Sequence, residues 1–154
     1  MSDQRIIAID LTVFLAANLY NLVLVAVFLV RTRNARRLER RIGFLGVLLG
    51  IPFLSASILN ALAGREWWAV VLVLPTAIHC LLELFVDYLT PSNFRYTRWL
   101  WPYLALFYLG QWLLVGYTFL ISDTFGAITL ATYFLCLGAT MYSYRKVEHG
   151  ERRI

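Results

Sequence analysis

His79, Glu83 and Asp87 recur at four-residue intervals inside IHCLLELFVDYL (Ile78–Leu89), an otherwise apolar run. On an α-helix that turns about 100° and rises ~1.5 Å per residue, the three fan over roughly 80° and form one polar stripe. An imidazole beside two carboxylates is the equipment of proton exchange, cation binding or acid–base catalysis. An ionisable group at bilayer depth costs about 2.5–3.5 kcal/mol on insertion scales, so such groups face protein or water and commonly serve function. The competing account is structural: His79 and Glu83 form a neutral packing pair, and Asp87 is solvated at the interface. Pro75 lies one turn before His79 and cannot donate to the Val71 carbonyl, which opens the helix there. Broken helices near the midplane form binding sites in several transporters.

Other polar residues fall at similar depth in other apolar runs and are candidate partners for the stripe: Asn18, Asn21, Gln111, Thr129, Thr132 and Tyr133. Asn18 and Gln111 complete the candidate polar site with His79, Glu83 and Asp87. Taken singly, each such residue also serves simply to cross-link helices, at about 0.6 kcal/mol per hydrogen bond. Tyr108 and Trp112, four apart and flanking Gln111, form a candidate wall for a flat apolar ligand such as a quinone, sterol or porphyrin. Gly46 and Gly50 form a G-x-x-x-G in which small residues let helices approach closely, within the chain or across a dimer. Asp10, near the start of the first run, is expected to pair with Arg5 or Arg65 or to mark an outer mouth. Cys80 and Cys136 show no C-x-x-C spacing and read as small apolar fillers.

The elements that must carry these residues follow from composition. The chain of 154 residues is 60% hydrophobic, with mean hydropathy +0.68, well above the roughly 45–50% apolar content of soluble domains. The pattern predicts an all-α polytopic bundle, one transmembrane domain over residues 1–154, with five spans at about 6–30, 42–63, 67–89, 99–121 and 125–144. Each is long enough to cross ~30 Å of hydrocarbon as a helix. Alternation of five spans collects Arg31, Arg33, Arg36, Arg37, Arg40, Arg41, Arg95, Arg98, Arg145, Lys146, Arg152 and Arg153 on one side, and only Arg5 and Arg65 on the other. That asymmetry predicts the N-terminus outside and the C-terminus in the cytoplasm of a cell-membrane protein. Trp67 and Trp68 would anchor the outer boundary, and Tyr88, Phe94, Tyr96, Trp99 and Trp101 the inner one.

The net charge of +5 is explained by topology, so no nucleic-acid partner is expected. The segment Arg31–Arg41, six Arg against one Glu, is expected to touch anionic headgroups at ~1 kcal/mol per basic residue. A homodimer or a larger membrane complex is the expected assembly. No cofactor is identified and no metal is expected. Haem ligated by two histidines of one protomer is disfavoured, since the only histidine besides His79 is His149 in the polar tail. Protease H-E-x-x-H, P-loop and G-x-S-x-G motifs are absent from the sequence. Five spans in about this length are shared with the translocator-protein family, but that family's Trp/Pro-rich cytoplasmic-side segment is replaced here by the Arg-rich one, and no family is assigned.

The residues favour a polar stripe that binds or conducts a proton, cation or small polar solute. An intramembrane enzyme or binding protein for an apolar ligand, with His79 and Glu83 as acid and base, is the second expectation. A non-catalytic subunit or assembly factor is the third.

Overall fold

The computed structural model describes residues 3–33, 35–90 and 97–151, without the side chains at 3 and 147–151. Regular structure among them is helical throughout: α1 (Asp3–Arg31), α2 (Arg36–Leu48), α3 (Gly50–Leu62), α4 (Trp67–Val71), α5 (Leu74–Glu83), a π-helical turn (Leu84–Leu89), α6 (Leu100–Ile121) and α7 (Asp123–Glu151). Five helical runs are long and apolar enough to cross a membrane: Gln4–Arg31, Arg36–Leu62, Trp67–Leu89, Leu100–Ile121 and Asp123–Lys146. Their outward faces carry Leu15, Leu19, Ile51, Leu62, Phe85 and Phe134 in the open, an apolar surface that suits lipid and not water.

The second run starts at Arg36 and not at Ile42, so much of the expected Arg-rich loop is helix. Arginine is a good helix former, and Glu39 in the first turn complements the helix dipole. The fifth run likewise continues past Tyr144 through Glu151. Phe94, Arg95, Tyr96, Arg152 and Arg153 lie outside the described residues, as does the side chain of His149.

Two runs are interrupted where proline removes a donor. Pro52 cannot bond the Leu48 carbonyl, and α2 gives way to α3 at Leu49. Pro75 cannot bond Val71, and α4 ends there before α5 begins at Leu74. The π-helical turn is the feature that regular spacing does not anticipate: Thr90 N–H reaches back five residues to the Phe85 carbonyl at 2.8 Å. It seats the Tyr88 ring against Phe44 and the Tyr88 hydroxyl on the Arg40 carbonyl, 2.9 Å.

Each run packs on its neighbour in sequence, and α1 closes the ring by packing on α7 while also touching α6. The α1–α7 pair is parallel with a constant offset of 111 residues, shown by Asn18–Thr129 and Asn21–Thr132, and the stacked rings of Phe14 and Phe125 keep the same register. The core between the runs contains Val13, Ala17 and Tyr20 of α1, Phe53 and Ala56 of α3, Ala77 and Cys80 of α5, and Leu114 and Tyr117 of α6. Gly64, at φ 65°, ends α3. Its N–H bonds the Ala61 carbonyl, and that of Arg65 bonds Asn60, each at 3.1 Å. This is a Schellman turn, for which a left-handed residue is required.

Gly46 and Gly50 both face inward. A Cβ on Gly50 would stand 2.6 Å from Cys80 Cβ, whereas one on Gly46 would meet Val23 and Tyr20 at 3.5 and 3.7 Å, ordinary contact. The strip is therefore used within the bundle. Gly46→Ala should leave melting nearly unchanged while Gly50→Leu lowers stability by about 1–3 kcal/mol or more through overpacking. Equal melting of the two variants in detergent would refute this close α3–α5 approach.

Candidate functional site

His79 is buried near the middle of the Trp67–Leu89 run. Its Nδ1 shares a hydrogen bond of 3.2 Å with the Tyr20 hydroxyl of α1, the donor being set by the tautomer. Nε2 points to Glu83, one turn along α5, at 3.7 Å from Oε2. That separation is too long for a hydrogen bond, and Nε2 is among the buried polar atoms with no partner. The Tyr103 hydroxyl of α6 donates to Oε2 of Glu83. The rings of Tyr103 and Phe107 flank the imidazole at 4.9 and 5.0 Å. Tyr20, His79, Glu83 and Tyr103 thus form one string of polar atoms linking three helical runs inside an apolar core.

Glu83 is only half-buried, because it reaches a cleft of about 280 Å³ that opens among Arg31, Arg36 and Arg40. Glu39, Asp87, Gly43 and Tyr88 complete its wall. Arg31 is bound to Glu39 at 2.8 Å, and an Arg40 N–H points to the Asp87 backbone carbonyl at 3.5 Å. The α-helical spacing of the stripe holds from His79 to Glu83 and is altered beyond it, because Asp87 lies in the π-helical turn. Asp87 nonetheless lines the same cleft. A second space beside Glu83, on the Tyr103 and Phe107 side, measures only about 90 Å³.

The remaining predicted residues are placed elsewhere. Asn18 bonds the Phe14 carbonyl and Thr129 and accepts from Thr132 at 2.8 Å, so it serves the α1–α7 seam. Gln111 is buried with its amide nitrogen unpartnered and lies beside Cys136 of α7. Tyr108 packs edge-on against Phe107. Trp112 is 53% exposed, its ring against Tyr133, and neither Tyr108 nor Trp112 lines the cleft at Glu83. Among the described residues no three His, Cys, Asp or Glu side chains gather as a metal-binding group.

At the opposite end of the bundle Asp10 pairs with Arg65 and not with Arg5. Two guanidinium nitrogens reach the two carboxylate oxygens at 2.5 and 3.3 Å, and the Tyr117 hydroxyl donates to the same carboxylate at 2.6 Å. Arg65 also donates to Asn60 Oδ1 at 3.1 Å, and Asn60 donates to the Ala69 carbonyl at 2.9 Å. Burial opposes the charge on Arg65, but its bonds to Asp10 and Tyr117 and the electrostatic pull of both outweigh it and raise the guanidinium pKa above its ordinary value. Trp68 packs on Tyr117 and under Arg65, while Trp67 is 73% exposed.

Sequence reasoning does not find Tyr20 or Tyr103 as neighbours of the pair. The available signal is that a tyrosine hydroxyl inside an apolar run requires a partner, which does not say which one. The chain matches no family model, no curated protein and no solved structure.

Proposed function

We propose that this chain is a cell-membrane protein of one transmembrane domain, with its N-terminus outside and its C-terminus cytoplasmic, whose His79–Glu83 pair binds and exchanges protons with the cytoplasm. The observation that supports the reading is a buried, unpartnered imidazole nitrogen facing a carboxylate that itself opens onto a polar cleft. In the exchange, once the two side chains close to hydrogen-bond reach or are joined by one water, the O–H of a protonated Glu83 breaks and an N–H forms on Nε2 of His79. The carboxylate left behind is held by the Tyr103 hydroxyl, and the imidazolium by the Tyr20 oxygen on Nδ1. Arg31, Arg36, Arg40, Glu39 and Asp87 set the field in which this occurs. The lining of the cleft at Glu83, mostly charged side chains, favours a proton or small ion over a quinone or sterol, whose pockets are mostly apolar. Loss of pH-dependent proton uptake in Glu83→Gln proteoliposomes tests the reading.

The orientation rests on the arginine asymmetry. A reporter fused after Ile154 should be active only in the cytoplasm, and one inserted at Gly64–Glu66 only outside. Reversed activities would overturn it.

Anionic lipid headgroups are the proposed partners of the arginine-rich end. Arg37, Arg40 and Arg41 border an open hollow of about 440 Å³ together with Phe44 and Tyr88. Replacing the three arginines by Gln should lower the anionic lipid retained on purification, each basic residue contributing ~1 kcal/mol. An unchanged lipid complement would remove this partner.

A further inference from the structure

We infer that the Asp10–Arg65–Tyr117–Asn60 cluster is the outer closure of a path through His79, and that this structure is the form open to the arginine-rich end and shut at the Gly64 end. The inference rests on the proton-exchange reading of His79 and Glu83. Its first support is the difference in polar access between the two ends, the groove of about 330 Å³ between α1 and α3 in the outer half being lined mostly by apolar side chains. At one end the cleft reaches Glu83; at the other, Asp10, Asn60 and Tyr117 are 9%, 0% and 0% exposed, and their bonds tie α1, α3, α6 and the Gly64 turn together. A displacement of any one of these elements breaks the cluster.

The second support lies between the two ends. The hydroxyls of Ser57 and Thr76, like Nε2 of His79, are buried with no hydrogen-bond partner. Ser57 is one helical turn from Asn60 on α3, and Thr76, whose hydroxyl lies against Gly110 of α6, is one turn from His79 on α5, so both positions fall in depth between the cluster and the imidazole. Native cores seldom leave such atoms unmatched, and each one calls for an explanation. A polar file running from the Asp10 cluster past Ser57 and Thr76 to His79 supplies it. Third, a buried ion pair contributes little net stability compared with apolar packing, whereas it makes a good registry or switch element.

The test is accessibility of a thiol at Ser57. Ser57→Cys is made in a background with Cys80 and Cys136 replaced by Ala, and reaction with a small membrane-impermeant methanethiosulfonate is followed from the Gly64 side. With the cluster intact the Ser57→Cys thiol should be unreactive. Adding Asp10→Asn together with Arg65→Gln removes both charges, leaves no orphaned ion, and should raise the labelling rate at least tenfold. Tyr117→Phe, which deletes one hydroxyl and keeps the ion pair, should give a smaller rise. Folded protein that stays unlabelled in both variants overturns the closure, as does an unlabelled Tyr117→Phe protein if the double variant does not fold. The readout is independent of proton movement. Labelling as expected with wild-type flux in Glu83→Gln would retire the proton reading and keep the closure, and the reverse pattern would do the opposite.

Discussion

Asp10→Asn should lower the stability of the bundle by about 3 kcal/mol, the low end of the range for breaking a buried pair, because the two partners retain some exposure. The loss comes mainly from what remains: an Arg65 guanidinium held at the Gly64 turn, among Asn60, Tyr117 and Trp68, without its carboxylate. Arg65→Gln should cost a similar amount by stranding Asp10, which then keeps the Tyr117 hydroxyl alone. The double variant should recover most of the loss, since no charge is stranded. The coupling read from the cycle is then large and favourable. Thermal melting in one detergent measures all four proteins. Additive losses in the double variant would show that the two side chains do not act as a pair.

The location of the helical runs was legible because it rests on long apolar stretches, and the five that are long and apolar enough to cross a membrane fall close to where hydropathy puts them. Their ends were less so. Arg36–Arg41 is polar but helix-forming, and hydropathy cannot separate a polar loop from a helix that emerges from the apolar layer. The interruptions at Leu49 and at Leu72–Val73 were readable from Pro52 and Pro75, because a missing donor acts locally. The π-helical turn was not readable, because its stabilising contacts are with residues forty or more positions away, Tyr88 to Arg40 and Phe44.

At the site, spacing alone paired His79 with Glu83, since positions four apart on a helix are neighbours. Grouping Asn18 and Gln111 with them rested on depth, and depth says nothing of which way a helix face turns. Asn18 stands two residues from Tyr20, roughly 200° around α1. It therefore meets Thr129 and Thr132 while Tyr20 meets His79. The Asp10–Arg65 pair was one of two matches left open by charge, and the Schellman turn at Gly64 decides it by setting Arg65 above Asn60 and Tyr117.

The proton-exchange reading turns on ionisation, not shape, at two side chains. Glu83→Gln keeps the volume and the ability to accept from Tyr103 while removing the proton that the carboxyl can carry. His79→Gln keeps a polar group of similar reach toward Tyr20 and Glu83 and removes the imidazole. If the pair served packing alone, both replacements would be mild. If it exchanges protons, both should cost roughly 10²–10⁴-fold in rate, the scale of a lost proton-transfer group. Proton uptake into liposomes carrying wild type, Glu83→Gln or His79→Gln, followed with an internal pH dye across a stepped window of external pH, measures this directly. The predicted result is uptake in the wild type that strengthens as pH falls through that window, and its loss in both variants at unchanged melting temperature. Folded variants that take up protons at the wild-type rate, with the wild-type pH dependence, would contradict it.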